Sequence, residues 1–150
     1  MCFRRCTRGL SIYELVLATA LVTMAAAGIV PFSVQSLRWI RLRSSVHDFV
    51  RELHRARLLA IAYGTPIRMD VSGTNSSYRL VSTSSALGPV GAEYHNAEGV
   101  RFQSLPARPL TFHPWGTASP AGSYVISGSV GRIRIVVSLT GRLRVEEVYP

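Results

Sequence analysis

The run Leu15–Val34 carries no charged residue, is apolar over most of its length, and is headed by a carboxylate, Glu14. About twenty such residues are enough for a helix to cross the hydrocarbon of a bilayer. Nothing else in the 150-residue chain constrains the fold as strongly, because a stretch of this kind is lost to the core of a small globule. A carboxylate at the head of a membrane-length helix costs roughly 2.5–3.5 kcal/mol on insertion scales, and more if unpaired. Glu14 therefore implies a neutralising partner, either in the membrane or in an assembly.

Around this run the chain divides into three zones. Residues 1–9 hold Arg4, Arg5 and Arg8 ahead of Gly9 and are expected to stay on the cytoplasmic side. Residues 10–37 read as a spanning helix, with Pro31 near its outer end, where a kink and a lost backbone bond are tolerated. Residues 38–150 remain for a single periplasmic domain. Arg38, Arg41 and Arg43 mark the far interface, and the helix is expected to continue beyond them. Val46, Phe49, Val50, Leu53, Ala56, Ala60 and Tyr63 recur at three- and four-residue spacings and form one apolar stripe. Arg51, Glu52 and Arg55 fall away from it, with Glu52 placed to pair with Arg55. Gly64-Thr65-Pro66 ends the helix, since glycine accepts the left-handed C′ conformation and proline cannot continue the helix.

The remainder reads as β. Ile67, Met69 and Val71 alternate with Arg68 and Asp70, and Ser72–Asn75 turns the chain into a strand over Tyr78–Ser82. Residues 83–99 read as a long loop. Val100–Leu105, Leu110–Phe112 and Tyr124–Ser127 are short strand candidates, with turn chemistry over 114–122. Ile133, Ile135 and Val137 alternate with Arg132, Arg134 and Val136, while Leu143 and Val145 alternate with Arg142, Arg144 and Glu146. A two-residue turn at Thr140-Gly141 would place arginines on the apolar face. A three-residue loop, Leu139-Thr140-Gly141, with glycine left-handed, removes that conflict. It pairs Ser138 with Arg142 and Arg134 with Glu146, and stands Arg132, Arg134, Arg142 and Arg144 together on an outer face. The fold class expected is α+β: a long N-terminal helix, spanning in its first half, packed on a small antiparallel β-sandwich.

Catalytic chemistry finds no support. His47, His54, His95 and His113 are scattered without ligand spacing, and there is no glycine-rich phosphate loop, no G-x-S-x-G elbow and no close carboxylate pair. Neither a cofactor nor a metal is expected. Both cysteines, Cys2 and Cys6, precede Gly9, so cleavage there would leave a domain held by core packing alone. The net charge is +9, every basic residue is arginine, and removal of Arg4, Arg5 and Arg8 would bring the charge to +6. An arginine-only basic set can arise from composition, so clustering rather than total charge favours a polyanionic partner.

The N-terminal pattern, Gly9 followed by Leu10-Ser11-Ile12-Tyr13-Glu14 and an apolar run, resembles the leader of type IV pilins and pseudopilins. The resemblance implies cleavage after Gly9 by a prepilin peptidase and N-methylation of Leu10. It also implies that Glu14 pairs with the Leu10 amine of a neighbouring subunit, which makes a costly buried charge into a device for register. Pro31 falls where pilins place a helix-kinking proline. Val50–Arg57, the helix end at Tyr63–Pro66 and the segment Val137–Arg144 are similar to the GspH/FimT family of minor pseudopilins and pilins. That family implies a structural subunit of a type II secretion pseudopilus or type IV pilus, in the inner membrane by one span, with other pilins as partners. Some members bind DNA through a C-terminal Gly-Arg-x-Arg motif, matched by Gly141-Arg142-Leu143-Arg144 and nearly repeated by Gly131-Arg132-Ile133-Arg134. Double-stranded DNA is accordingly the alternative partner. A further alternative is an ordinary signal peptide cut at Ala25-Ala26-Ala27, releasing a soluble β-domain.

Overall fold

The computed structural model describes residues 11–84 and 90–148, the side chains of 26–33 and 148 excepted. The expected leader, residues 1–9, and Leu10 thus lie outside the described residues. The chain divides into two compact units, Met1–Ser36 and Leu37–Pro150.

One helix, α1 (Ile12–Tyr63), runs for 52 residues. Its start follows from local chemistry: the Ser11 carbonyl accepts from the Leu15 N–H at 3.1 Å, which makes Ser11 the N-cap. Glu14 stands three residues on, at capping-box spacing and in the first turn, where a carboxylate complements the helix dipole. Gly64, at φ +62°, ends the helix as expected. Within the first unit the described side chains of 12–25, Ile12, Leu15, Leu17 and Met24 among them, are exposed. Among the described residues no helix is long and apolar enough to cross a membrane. The expected span 10–37 includes Leu10 and the side chains of 26–33, which lie outside that set.

In the second unit the stripe is buried at Leu42, Val46, Phe49, Leu53, Ala56 and Ala60, spaced alternately by four and three residues. Leu42 extends it one turn beyond the sequence expectation. Tyr63, expected in the stripe, is half exposed, because the chain turns away at Gly64 and the fully buried Ile67 closes that end instead.

Two antiparallel sheets receive this stripe. The first contains β1 (Ile67–Val71), β2 (Ser77–Ser82), β3 (Tyr94–His95), β5 (Thr111–Phe112) and β6 (Ala118–Ser119), in the order β3-β2-β1-β5-β6. The second contains β4 (Arg101–Ser104), β7 (Gly122–Gly128), β8 (Gly131–Val137) and β9 (Leu143–Val148), in the order β4-β7-β8-β9. Phe49 links all three layers. Its ring meets Tyr78 of β2 and Phe102 of β4 at 5.0 Å, and Tyr124 of β7 at 5.1 Å, each edge-on. Such edge-to-face contacts add to the large area that aromatic rings bury.

Three expectations need correction. Part of the segment read as a long loop is strand: β3 pairs with β2 through Ser77↔His95 and Tyr78↔Tyr94, and the Tyr94 ring stacks on Tyr78 at 5.7 Å. The same segment lies against the helix, where the Ala97 N–H donates to Ser45 Oγ at 3.1 Å. Glu52, expected to fall away from the apolar stripe, is buried rather than solvated, with Arg55 3.4 Å away. The Arg55 guanidinium also donates to the Tyr94 hydroxyl oxygen at 2.7 Å, and Glu52 first, then Tyr94, raises its pKa above the usual arginine value. Finally, the turn region 114–122 contains β6, whose buried Ala118 pairs with Phe112 and donates its N–H to the Leu139 carbonyl at 2.9 Å.

Candidate functional site

The C-terminal hairpin adopts the register that its apolar alternation requires. Val137 pairs with Leu143, Ile135 with Val145 and Arg134 with Glu146. The Ser138 N–H donates to the Arg142 carbonyl at 3.0 Å, and Gly141 closes the loop at φ +74° with its N–H on the Ser138 carbonyl at 2.9 Å. Ser138 Oγ and Thr140 Oγ1 lie 2.8 Å apart, and the Arg142 N–H donates to Ser138 Oγ at 3.2 Å, which ties the turn further.

Directly opposed residues in an antiparallel pair share a face. Ile133, Ile135 and Val137 are buried, so Arg132, Arg134, Arg142 and Arg144 stand exposed on the other side. The sheet adds a fifth arginine to this face. Arg132 is opposite Ser127 in β7, and Ser127 is opposite Arg101 in β4, which is also exposed. Nothing in the sequence near Arg101 signals this, because the link runs through two strand pairings. One carboxylate interrupts the patch: Glu146 faces Arg134 across the ladder and lies 3.8 Å from Arg144. With Arg144 80% exposed, that pair contributes little stability. A shallow groove of about 470 Å³ runs beside Arg142 and Arg144, lined also by Val136 and Ser138.

Gly141 plays a different part from the arginines. Its carbonyl accepts from Arg57 Nη1 at 3.3 Å, and a Cβ added to it would meet the Gly116 carbonyl oxygen. The glycine of the Gly-Arg-x-Arg motif thus shapes the hairpin and docks it on the helix and the 113–117 turn, while the arginines face outward. Neighbouring Trp115 is exposed and stacks on His113 at 5.4 Å.

At the other candidate site, Glu14 is exposed on the first turn of α1. Its expected partner position, Leu10, and the cleavage residue, Gly9, lie outside the described residues. The backbone at position 31 is helical, and the Pro31 side chain lies outside them too. Among the described residues no cluster of His, Cys, Asp or Glu could hold a metal ion.

A long helix laid by one heptad-like stripe across two small antiparallel sheets is a pilin-like domain. Residues 45–141 match the model of the family described as type II transport protein GspH, and the chain belongs to that family. The fold is also that of two solved minor subunits. The minor pseudopilin EpsH from the type 2 secretion system of Vibrio cholerae superposes with a TM-score of 0.59 at 15% identity, over 71% of this chain and 97% of EpsH. The type IV minor pilin FimU of Pseudomonas aeruginosa gives a TM-score of 0.57 at 19% identity, over 73% of this chain and 97% of the FimU chain. Among curated proteins, none is a significant match.

Proposed function

We propose that the chain is a minor pilin or pseudopilin, a structural subunit that helps initiate or cap a type II secretion pseudopilus or a type IV pilus. The reading is carried by membership of the GspH family together with a fold shared by EpsH and FimU. The subunit is held in the inner membrane by residues 10–37 with its domain in the periplasm, and prepilin peptidase removes residues 1–9. The N-methylated amine of Leu10 then pairs with Glu14 of a neighbour. Two charges in hydrocarbon offset one another only at one stagger, so the pair fixes register as helices stack.

The test is production in cells that hold a prepilin peptidase and a cognate fibre, with mass spectrometry of the chain and of the sheared fibre. A mature chain beginning at Leu10, with Glu14→Val processed but missing from the fibre, is expected. A mature chain beginning at Gly28 would instead establish ordinary secretion and sink the reading.

One observation favours a second role within the same subunit. Five arginines on one face of the second sheet, against a single carboxylate, suit phosphate oxygens of double-stranded DNA without base preference. Arg142 and Arg144 would be the principal contacts, with Arg132, Arg134 and Arg101 extending the track.

A further inference from the structure

A pocket of about 250 Å³ opens where the helix meets two loops, at the end of the second sheet that carries Arg101 and Arg132. Its walls are Arg38 and Arg41 of α1, Glu98 and Gly99 before β4, and Gly128 and Ser129 of the β7–β8 turn. The turn packs on the helix at Leu42, where a Cβ added to Gly128 would stand in ordinary contact at 3.5 Å. Among the described residues no ion pair engages Arg38, Arg41 or Glu98, so two cations and one anion face a small space uncommitted to each other.

We propose that this pocket holds the head group of a phospholipid bearing a phosphate and a primary ammonium, of the phosphatidylethanolamine type. The inference rests on the membrane-anchored reading above. Two guanidiniums suit a phosphodiester, whose oxygens accept from planar N–H forks. Glu98 then suits a positive group one short linker away, as in phosphoethanolamine. A quaternary ammonium is recognised by aromatic faces, and none of the lining residues is aromatic, so a donor-bearing primary ammonium fits and choline does not. The lipid source follows from the sequence. Arg38 and Arg41 come directly after the uncharged run Leu15–Val34, where basic side chains meet head groups at the end of a span. Bound there, the head group would steady the base of the domain against the membrane before the subunit is withdrawn into a fibre.

The test uses the full chain, ¹⁵N-labelled, in a non-ionic detergent, with water-soluble deacylated head groups. Glycerophosphoethanolamine is titrated against glycerophosphocholine, glycerophosphoglycerol and inorganic phosphate, reading the amides of Gly99 and Gly128. Saturable shifts with glycerophosphoethanolamine are expected, weakened about tenfold or more in Arg38→Gln/Arg41→Gln, as loss of charged hydrogen bonds implies. Glu98→Gln should erase the preference over glycerophosphoglycerol. Equal response to inorganic phosphate would overturn the proposal in favour of a free-anion site, and no shift at either glycine would overturn it outright. A separate alkaline wash of membranes tests the anchored reading: release of the chain would remove the lipid source, whereas retention with no titration response would defeat the pocket alone.

Discussion

Gly141 lies so close to Gly116 that a Cβ on Gly141 would stand 2.5 Å from the Gly116 carbonyl oxygen and 3.2 Å from Arg57 Nε. The turn of the arginine hairpin is therefore fixed from two directions, by its own left-handed backbone and by the body beneath it. A motif glycine at the head of a basic strand acts here as a support for the arginines that follow.

Gly141→Ala is expected to destabilise the domain by clearly more than the roughly 1–2 kcal/mol that a left-handed alanine costs, because backbone must also move. Gly64→Ala provides the internal comparison. Gly64 has a similar φ of +62° but nothing within 4 Å of an added Cβ, so it should show the conformational cost alone. Urea unfolding of both variants separates the two effects, and equal losses would refute the contact.

Phe49→Ala should cost about 3–5 kcal/mol, since it empties a site touched by Tyr78, Phe102 and Tyr124 from both sheets. For a cysteine-free domain, that is a large part of typical stability. Thermal denaturation should show a lowered midpoint. A change below about 1 kcal/mol would mean that the helix and sheets are not joined there.

Alkali should destabilise the fold. Burial is the leading cause that raises the hydroxyl pKa of both Tyr78 and Tyr124 above the ordinary tyrosine value. The folded chain then keeps protons that the unfolded chain releases above about pH 10, so this contribution is full below that pH and is lost as pH rises past it. Each tyrosine adds up to about 1.4 kcal/mol per pH unit in that window. Denaturant midpoints between pH 8 and 11 should fall, and less steeply in Tyr124→Phe. An identical slope in that variant would assign the alkaline loss elsewhere.

Arg142→Ala/Arg144→Ala should leave stability nearly unchanged, because both side chains are exposed and, among the described residues, only Arg144 of the two has an ion partner, at 3.8 Å. If the face binds DNA, titration of the full chain in detergent should weaken linearly in log salt. The double variant should then reduce the slope by about 2, one for each lost phosphate contact. A folded wild-type chain that fails to bind at low salt would leave a purely structural subunit.

Much of this protein follows from residue spacing alone. The three-four stripe fixes the helix face, Gly64-Thr65-Pro66 fixes its end, and the alternation on either side of Leu139–Gly141 fixes the hairpin register, since slipping by one residue would bury arginines. These are local periodicities, and each is written in adjacent residues. What only the tertiary structure decided joins distant segments. Tyr94 returns to β2 and to Arg55, Ala97 returns to Ser45, and Glu52 is buried though the helical wheel alone places it outside. The two-residue strand β6 gains its identity from Phe112 and Leu139, not from any pattern of its own. Arg101 joins the basic face through Ser127, and Gly116 explains the glycine of a motif that lies twenty-five residues away. Periodicity records which side of an element is apolar, but which distant element covers that side is settled by the packing of the whole core.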